Sequence, residues 1–172
     1  NHSSPENEIA LRIAHQYYRL NEYDKTLDYL GAVTGTKGKT KSYYLIKGDT
    51  ELHLGLEIEA LASFRQGLSV DQFDLQLRTN CLELAGKLGN AEKMKLLFTT
   101  GLRLHDESVP FDFVFRYLNL LSYNSLFKEY EQIYLWARDF FAGEPETIAR
   151  LNINRASTLR KAGMARRAEQ LL

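Results

Sequence analysis

The feature that most constrains this chain is a step of 34 residues. Gly55 and Gly89 lie 34 apart, and Ala14, Gly48 and Leu82 keep the same step. So do Leu30, Phe64 and Phe98, and so do Thr26, Ala60 and Met94. A fixed period of that length means one small structural unit used repeatedly. Such a unit cannot bury its apolar face alone, so its neighbours must stack on it. Small residues at two places let a pair of helices approach closely. A bulky apolar residue at a third fills the space between one pair and the next. Glycines at the turn inside each pair suit a left-handed helix C-cap.

In this register five units are expected, spanning about 7–40, 41–74, 75–108, 114–147 and 148–172. Unit two is the clearest, with Tyr44, Gly48, Gly55, Ala60 and Phe64. Unit four is set by Leu121, Tyr130, Ile133, Ala137 and Pro145, and unit five by Ala156, Leu159, Gly163 and Ala168. The step from unit three to unit four is then 39, with the excess around His105–Phe113. Either a longer loop or a lengthened helix would absorb it. The pattern resembles the tetratricopeptide-repeat (TPR) superfamily over nearly the whole chain. That resemblance implies an all-α, right-handed α-solenoid of about five helix-turn-helix repeats, with nine or ten helices and almost no strand.

Composition narrows the function. The chain has 172 residues, 44% hydrophobic and 26% charged, which suits a single repeat domain. Lys+Arg and Asp+Glu balance at 22 each, so no nucleic-acid partner is expected. No apolar run approaches the ~18 residues of a membrane span, so direct membrane insertion is not expected either. One cysteine, Cys81, excludes an internal disulfide framework and a multi-cysteine zinc site. The start lacks a Met and the end stops inside an apolar pattern. Both fit a piece of a longer protein, with neighbouring repeats of the parent chain as further partners.

One segment argues for an enzyme. Residues Gly35–Thr40 read Gly-Thr-Lys-Gly-Lys-Thr, which resembles the phosphate loop of Mur-type ATP-dependent ligases. On that resemblance Lys39 would meet phosphates and Thr40 would ligate Mg²⁺. The general loop form needs a glycine where Val33 stands, and a strand before the loop where the sequence reads as helix. The expectation is therefore a loop between hairpins, with no catalytic residue and no cofactor. A metal site from His15, Asp49, His53 and Glu83 is conceivable, but only Asp49 and His53 have ligand spacing. A solvated polar face is the better reading, and no metal is expected.

Asparagines give the stronger signal. Asn80, Asn119 and Asn154 stand two residues before the small-residue site of units three, four and five, while units one and two carry Arg12 and Ile46 there. On a TPR-like solenoid that position opens to the concave groove, and the family uses similar asparagines to hold a peptide backbone. An amide can donate to and accept from any backbone, whatever its sequence. Glu83, Arg150 and Ser157 would supply sequence preference. The basic clamp for a terminal carboxylate, found in chaperone-binding members, is not met, since Leu11 occupies its site. Eleven of the twenty aromatics fall between Phe111 and Phe141 at helical spacing, as expected of inter-helix core. The expected function is a non-catalytic scaffold binding a protein or peptide segment in its groove. The alternative is a packing module or chaperone of a secretion or envelope machine.

Overall fold

The structure is a computed structural model. It describes residues 4–164 and 167–168, with the backbone alone at Glu107. Among the described residues there are ten α-helices and no strand. They are α1 (Pro5–Arg19), α2 (Tyr23–Gly31), a short α3 (Gly35–Gly38), α4 (Lys41–His53), α5 (Glu57–Val70), α6 (Leu75–Lys87), α7 (Ala91–His105), α8 (Phe111–Tyr123), α9 (Phe127–Phe140) and α10 (Pro145–Lys161). A 3₁₀ turn, Asp106–Ser108, follows α7. The chain divides into two compact units, Asn1–Leu84 and Ala85–Leu172.

Side chains that satisfy orphan amides start several helices. Ser4 Oγ accepts from Asn7 N (3.3 Å), with Pro5 in the first turn. Thr40 Oγ1 accepts from Tyr43 N (3.4 Å), Asp74 Oδ1 from Leu77 N (2.8 Å) and Asn90 Oδ1 from Lys93 N (3.0 Å). The helix ends share one device. Two residues past α1, α4, α6, α8 and α10 stand Asn21, Gly55, Gly89, Ser125 and Gly163, all at positive φ. The next amide then reaches back five residues to a carbonyl, as in Glu22 N to Tyr17 O (3.0 Å) and Leu126 N to Leu121 O (2.9 Å). This Schellman closure satisfies the last carbonyls and turns the chain into the second helix of each hairpin.

Counting from that left-handed residue aligns the units. Seven before it come Ala14, Gly48, Leu82, Leu118 and Ala156, all buried. Five after it come Thr26, Ala60, Met94, Tyr130 and Ala168, each fully buried. Nine after it come Leu30, Phe64, Phe98 and Tyr134, buried to 2% exposure or less. Unit four therefore differs from the expected register by three residues. Leu118, not Leu121, holds the small-residue position, and Tyr130, not Ile133, faces it. The left-handed residues lie 36 apart from Gly89 to Ser125 and 38 apart from Ser125 to Gly163. The longer spacing is shared between two linkers, and part of the first is the 3₁₀ turn at Asp106–Ser108. Most of unit five beyond Lys161 lies outside the described residues.

The first unit shows why small residues recur. A Cβ at Gly48 would lie 2.7 Å from Cδ1 of the buried Phe64 ring. Ala14, Leu30, Val33 and Tyr43 form one core cluster, with Leu11, Leu27 and Ile46 packed against it. Asn7 pins the linker after α2, donating to Thr34 O and accepting from Thr34 N, both at 2.9 Å. In the second unit Phe98 stacks on Tyr117 with ring centroids 4.0 Å apart, and also meets Phe113 and Trp136. The aromatic crowding of this unit is thus mainly core, as its helical spacing predicts. Tyr123, at 71% exposure, and Phe140, at 37%, are the exceptions.

Candidate functional site

In the second unit the predicted residues of α8 and α10 meet. Asn154 Nδ2 donates to Asn119 Oδ1 at 2.6 Å. The Tyr130 hydroxyl, rising from α9, donates to Asn154 Oδ1 at 2.6 Å. Asn154 is therefore held on both sides of its amide, while Asn119 stays exposed with its own Nδ2 as a donor. Burial drives the Tyr130 phenol well above its ordinary pKa, so it remains a neutral donor. Behind this chain Thr158 Oγ1 donates to Ser122 Oγ at 3.0 Å, closing the α8/α10 contact with a buried polar pair.

Arg150 lies one turn of α10 before Asn154. Its guanidinium sits 4.7 Å from the Phe111 ring centre and 5.0 Å from that of Phe115, and it pairs with Asp112 at 3.4 Å. Two aromatic faces fix the arginine while it stays exposed, a cation–π arrangement that keeps a charge presented at little rotamer cost. Ser157, one turn after Asn154, is exposed. The α8/α10 face thus carries, in order along α10, a cation, an amide and a hydroxyl.

The other two predicted residues belong to the first unit. Asn80 Oδ1 accepts from Gln76 Nε2 at 3.1 Å on α6, and Glu83 is half-buried on the same helix. The expectation that three asparagines share one repeat position needs correction. Asn80 and Asn154 each stand nine residues before the left-handed turn, but Asn119 stands six before Ser125. The position equivalent to Asn80 and Asn154 is held by Arg116 in unit four. Asn119 instead matches His15, Asp49, Glu83 and Ser157. Asn119 and Asn154 still touch, because a residue one turn nearer the cap on one first helix reaches the earlier position on the next.

The equivalent pair in the first unit, His15 and Ile46, lines a hollow of about 350 Å³ with Leu11, Arg12, Gln16 and Ser42. Nearby, His53 stacks face to face on Tyr23 at 4.6 Å. Burial raises the Asp49 carboxyl above its usual range, and the neighbouring His53 partly offsets this. No three metal-ligating side chains gather among the described residues. Cys81 is fully buried. The Gly35–Thr40 segment follows helix α2 rather than a strand. Its Thr40 hydroxyl caps α4, and Lys39 Nζ lies 5.9 Å over the Tyr43 ring. Sequence reasoning missed Tyr130 as part of the site. Ser125, a non-glycine residue in a left-handed turn, concealed the register that would have marked it.

Helical hairpins closed by a left-handed turn, with a buried residue seven before and five after it, define a TPR-like helical repeat. Solved structures agree. The chain is similar to MamA, with a TM-score of 0.74 and 11% identity over 96% of this chain and 87% of that one. It is similar to YrrB, a TPR protein with an unusual peptide-binding site, with a TM-score of 0.66 and 14% identity over 94% and 80%. It is also similar to PilW, a widely conserved type IV pilus biogenesis factor, with a TM-score of 0.67 and 19% identity over 98% and 76%. No protein-family model matches the sequence, and no curated protein matches it. The fold is that of the TPR-like α-solenoids. No helix among the described residues is long and apolar enough to cross a membrane.

Proposed function

We propose that this chain is a non-catalytic scaffold that holds an extended protein segment against its first helices. The observation that carries this reading is the Tyr130–Asn154–Asn119 chain. A surface amide free to rotate would lose conformational freedom on binding. Here Asn154 is already fixed, and it fixes Asn119 in turn, so the donor that meets a peptide carbonyl is pre-set. Arg150 and Ser157 flank it and supply preference for particular side chains. Asn80 and Glu83 carry the same chemistry on α6. The peptide-binding site named for YrrB supports this use of the fold. The capping role of Thr40 and the helix before it favour a structural part for the Gly35–Thr40 segment over nucleotide chemistry.

A packing or assembly role is favoured by a different surface. Ile9, 57% exposed, and Ile13 line a shallow hollow on α1 with Arg12 and Gln16. The name of PilW, a biogenesis factor, fits that reading. A random-peptide library selected on the full chain separates the two. A selected peptide should lose affinity roughly tenfold or more when Asn80, Asn119 and Asn154 are replaced by Ala, since each lost amide contact costs ~0.5–1.5 kcal/mol. Full affinity in the triple variant, with helicity retained, transfers the function to the packing surface.

A further inference from the structure

We propose that the cleft between the first half of α9 and the second half of α10 binds a small amphipathic anion, an apolar chain or ring that ends in a carboxylate. The cleft shares Tyr130 with the asparagine site, but the proposal does not depend on the reading above. Its volume is about 740 Å³. Pockets that enclose small molecules run to roughly 300–1,000 Å³.

The walls divide by chemistry. Phe127, Tyr130, Leu159, Ala162 and Met164 give an apolar lining. Met164 is 44% exposed, so an apolar surface already faces solvent there. The unusual residue is Tyr130. Other units place Thr26, Ala60, Met94 or Ala168 at this position, and the cleft opens beside the one bulky ring. The hydroxyl of Tyr130 is engaged with Asn154, so its ring serves as wall.

The charges select the head group. Glu131 and Arg155 line the cleft, but they cancel each other. Arg155 Nε and its terminal nitrogen donate to the two Glu131 oxygens at 3.0 and 2.7 Å, and the guanidinium rests 4.5 Å from the Tyr134 ring centre. Among the described residues of the lining Lys128 and Arg167 remain, both exposed. Lys128 also belongs to the first turn of α9, where Glu129 offsets the partial positive charge of the helix end, so the two side-chain cations carry the selection. An apolar body would fill the lining while a carboxylate met these cations. A cationic head would be repelled, and a neutral one would gain nothing from them.

Titration calorimetry of the full chain tests this with decanoate and decyltrimethylammonium, which share a tail and differ in the sign of the head. Decanoate should bind once per chain and roughly tenfold more tightly than the cation. Lys128→Glu combined with Arg167→Glu should abolish that preference, and both sites are exposed, so the fold should survive. Ala162→Trp should block the cleft. Circular dichroism checks each variant, and the charge-reversed protein decides the matter alone if Ala162→Trp unfolds. Equal affinity for both probes, decanoate binding that survives charge reversal, or no saturable binding would each overturn the proposal.

Discussion

Asp74 shows how one side chain can serve two elements. One carboxylate oxygen caps α6 through Leu77 N, and the other accepts from Lys41 Nζ at 2.9 Å. Burial opposes its charge, but the amide of Leu77 and the Lys41 ammonium outweigh burial and hold the carboxyl below its ordinary pKa. A depressed carboxyl stabilises the fold above its unfolded value, about 3.9, and that contribution is lost as pH falls through the folded value. Asp74→Ala should lower stability by about 1 kcal/mol near neutral pH, as loss of an N-cap does. In urea melts the gap between wild type and variant should narrow below about pH 4. A gap independent of pH would mean that the charge contributes nothing.

Gly48 illustrates a second residue-scale effect. Alanine normally improves a helix over glycine by about 1 kcal/mol. Here the added methyl would press on the buried ring of Phe64. Overpacking of a rigid ring costs about 1–3 kcal/mol, so Gly48→Ala should lower the melting temperature on balance. Adding Phe64→Leu should recover part of the loss. A melting temperature above wild type in the single variant would show that the hairpin has slack.

At the scale of the element, the hairpins were legible where glycine marked the turn. Gly55 and Gly89 displayed the period directly, and Gly163 fixed unit five. Asn21 and Ser125 adopt the same left-handed conformation without being glycine. Asn21 did no harm because Ala14, Thr26 and Leu30 kept the 34-residue step around it. Around Ser125 the step itself changes, so leucines three apart, Leu118 and Leu121, offered two registers that the sequence alone could not separate. Both are buried, since successive turns of α8 face the core. A left-handed non-glycine residue is strained by about 1–2 kcal/mol, part of which glycine returns as backbone entropy in the unfolded chain. Ser125→Gly should therefore stabilise the protein by about 0.5–1 kcal/mol in denaturant titration. Destabilisation would imply that the serine side chain has a role beyond the turn.

At the scale of the molecule, the fold class followed from the period, while the site followed only in part. Asparagines on first helices were visible in the sequence, and Asn119 and Asn154 do meet. What holds them was not visible, because Tyr130 reads as one aromatic among many until the turn before α9 is located. The account predicts a polar row on first helices, pre-set by core hydrogen bonds and ready for an extended segment. Its most direct test is the side-chain amide region of a nitrogen–proton NMR spectrum of the full chain, recorded while a library-selected peptide is titrated in. The resonances of Asn119 and Asn154 should move together and saturate with the peptide. If they stay fixed while signals from α2, α5, α7 or α9 move instead, the segment is held elsewhere and the central claim is contradicted.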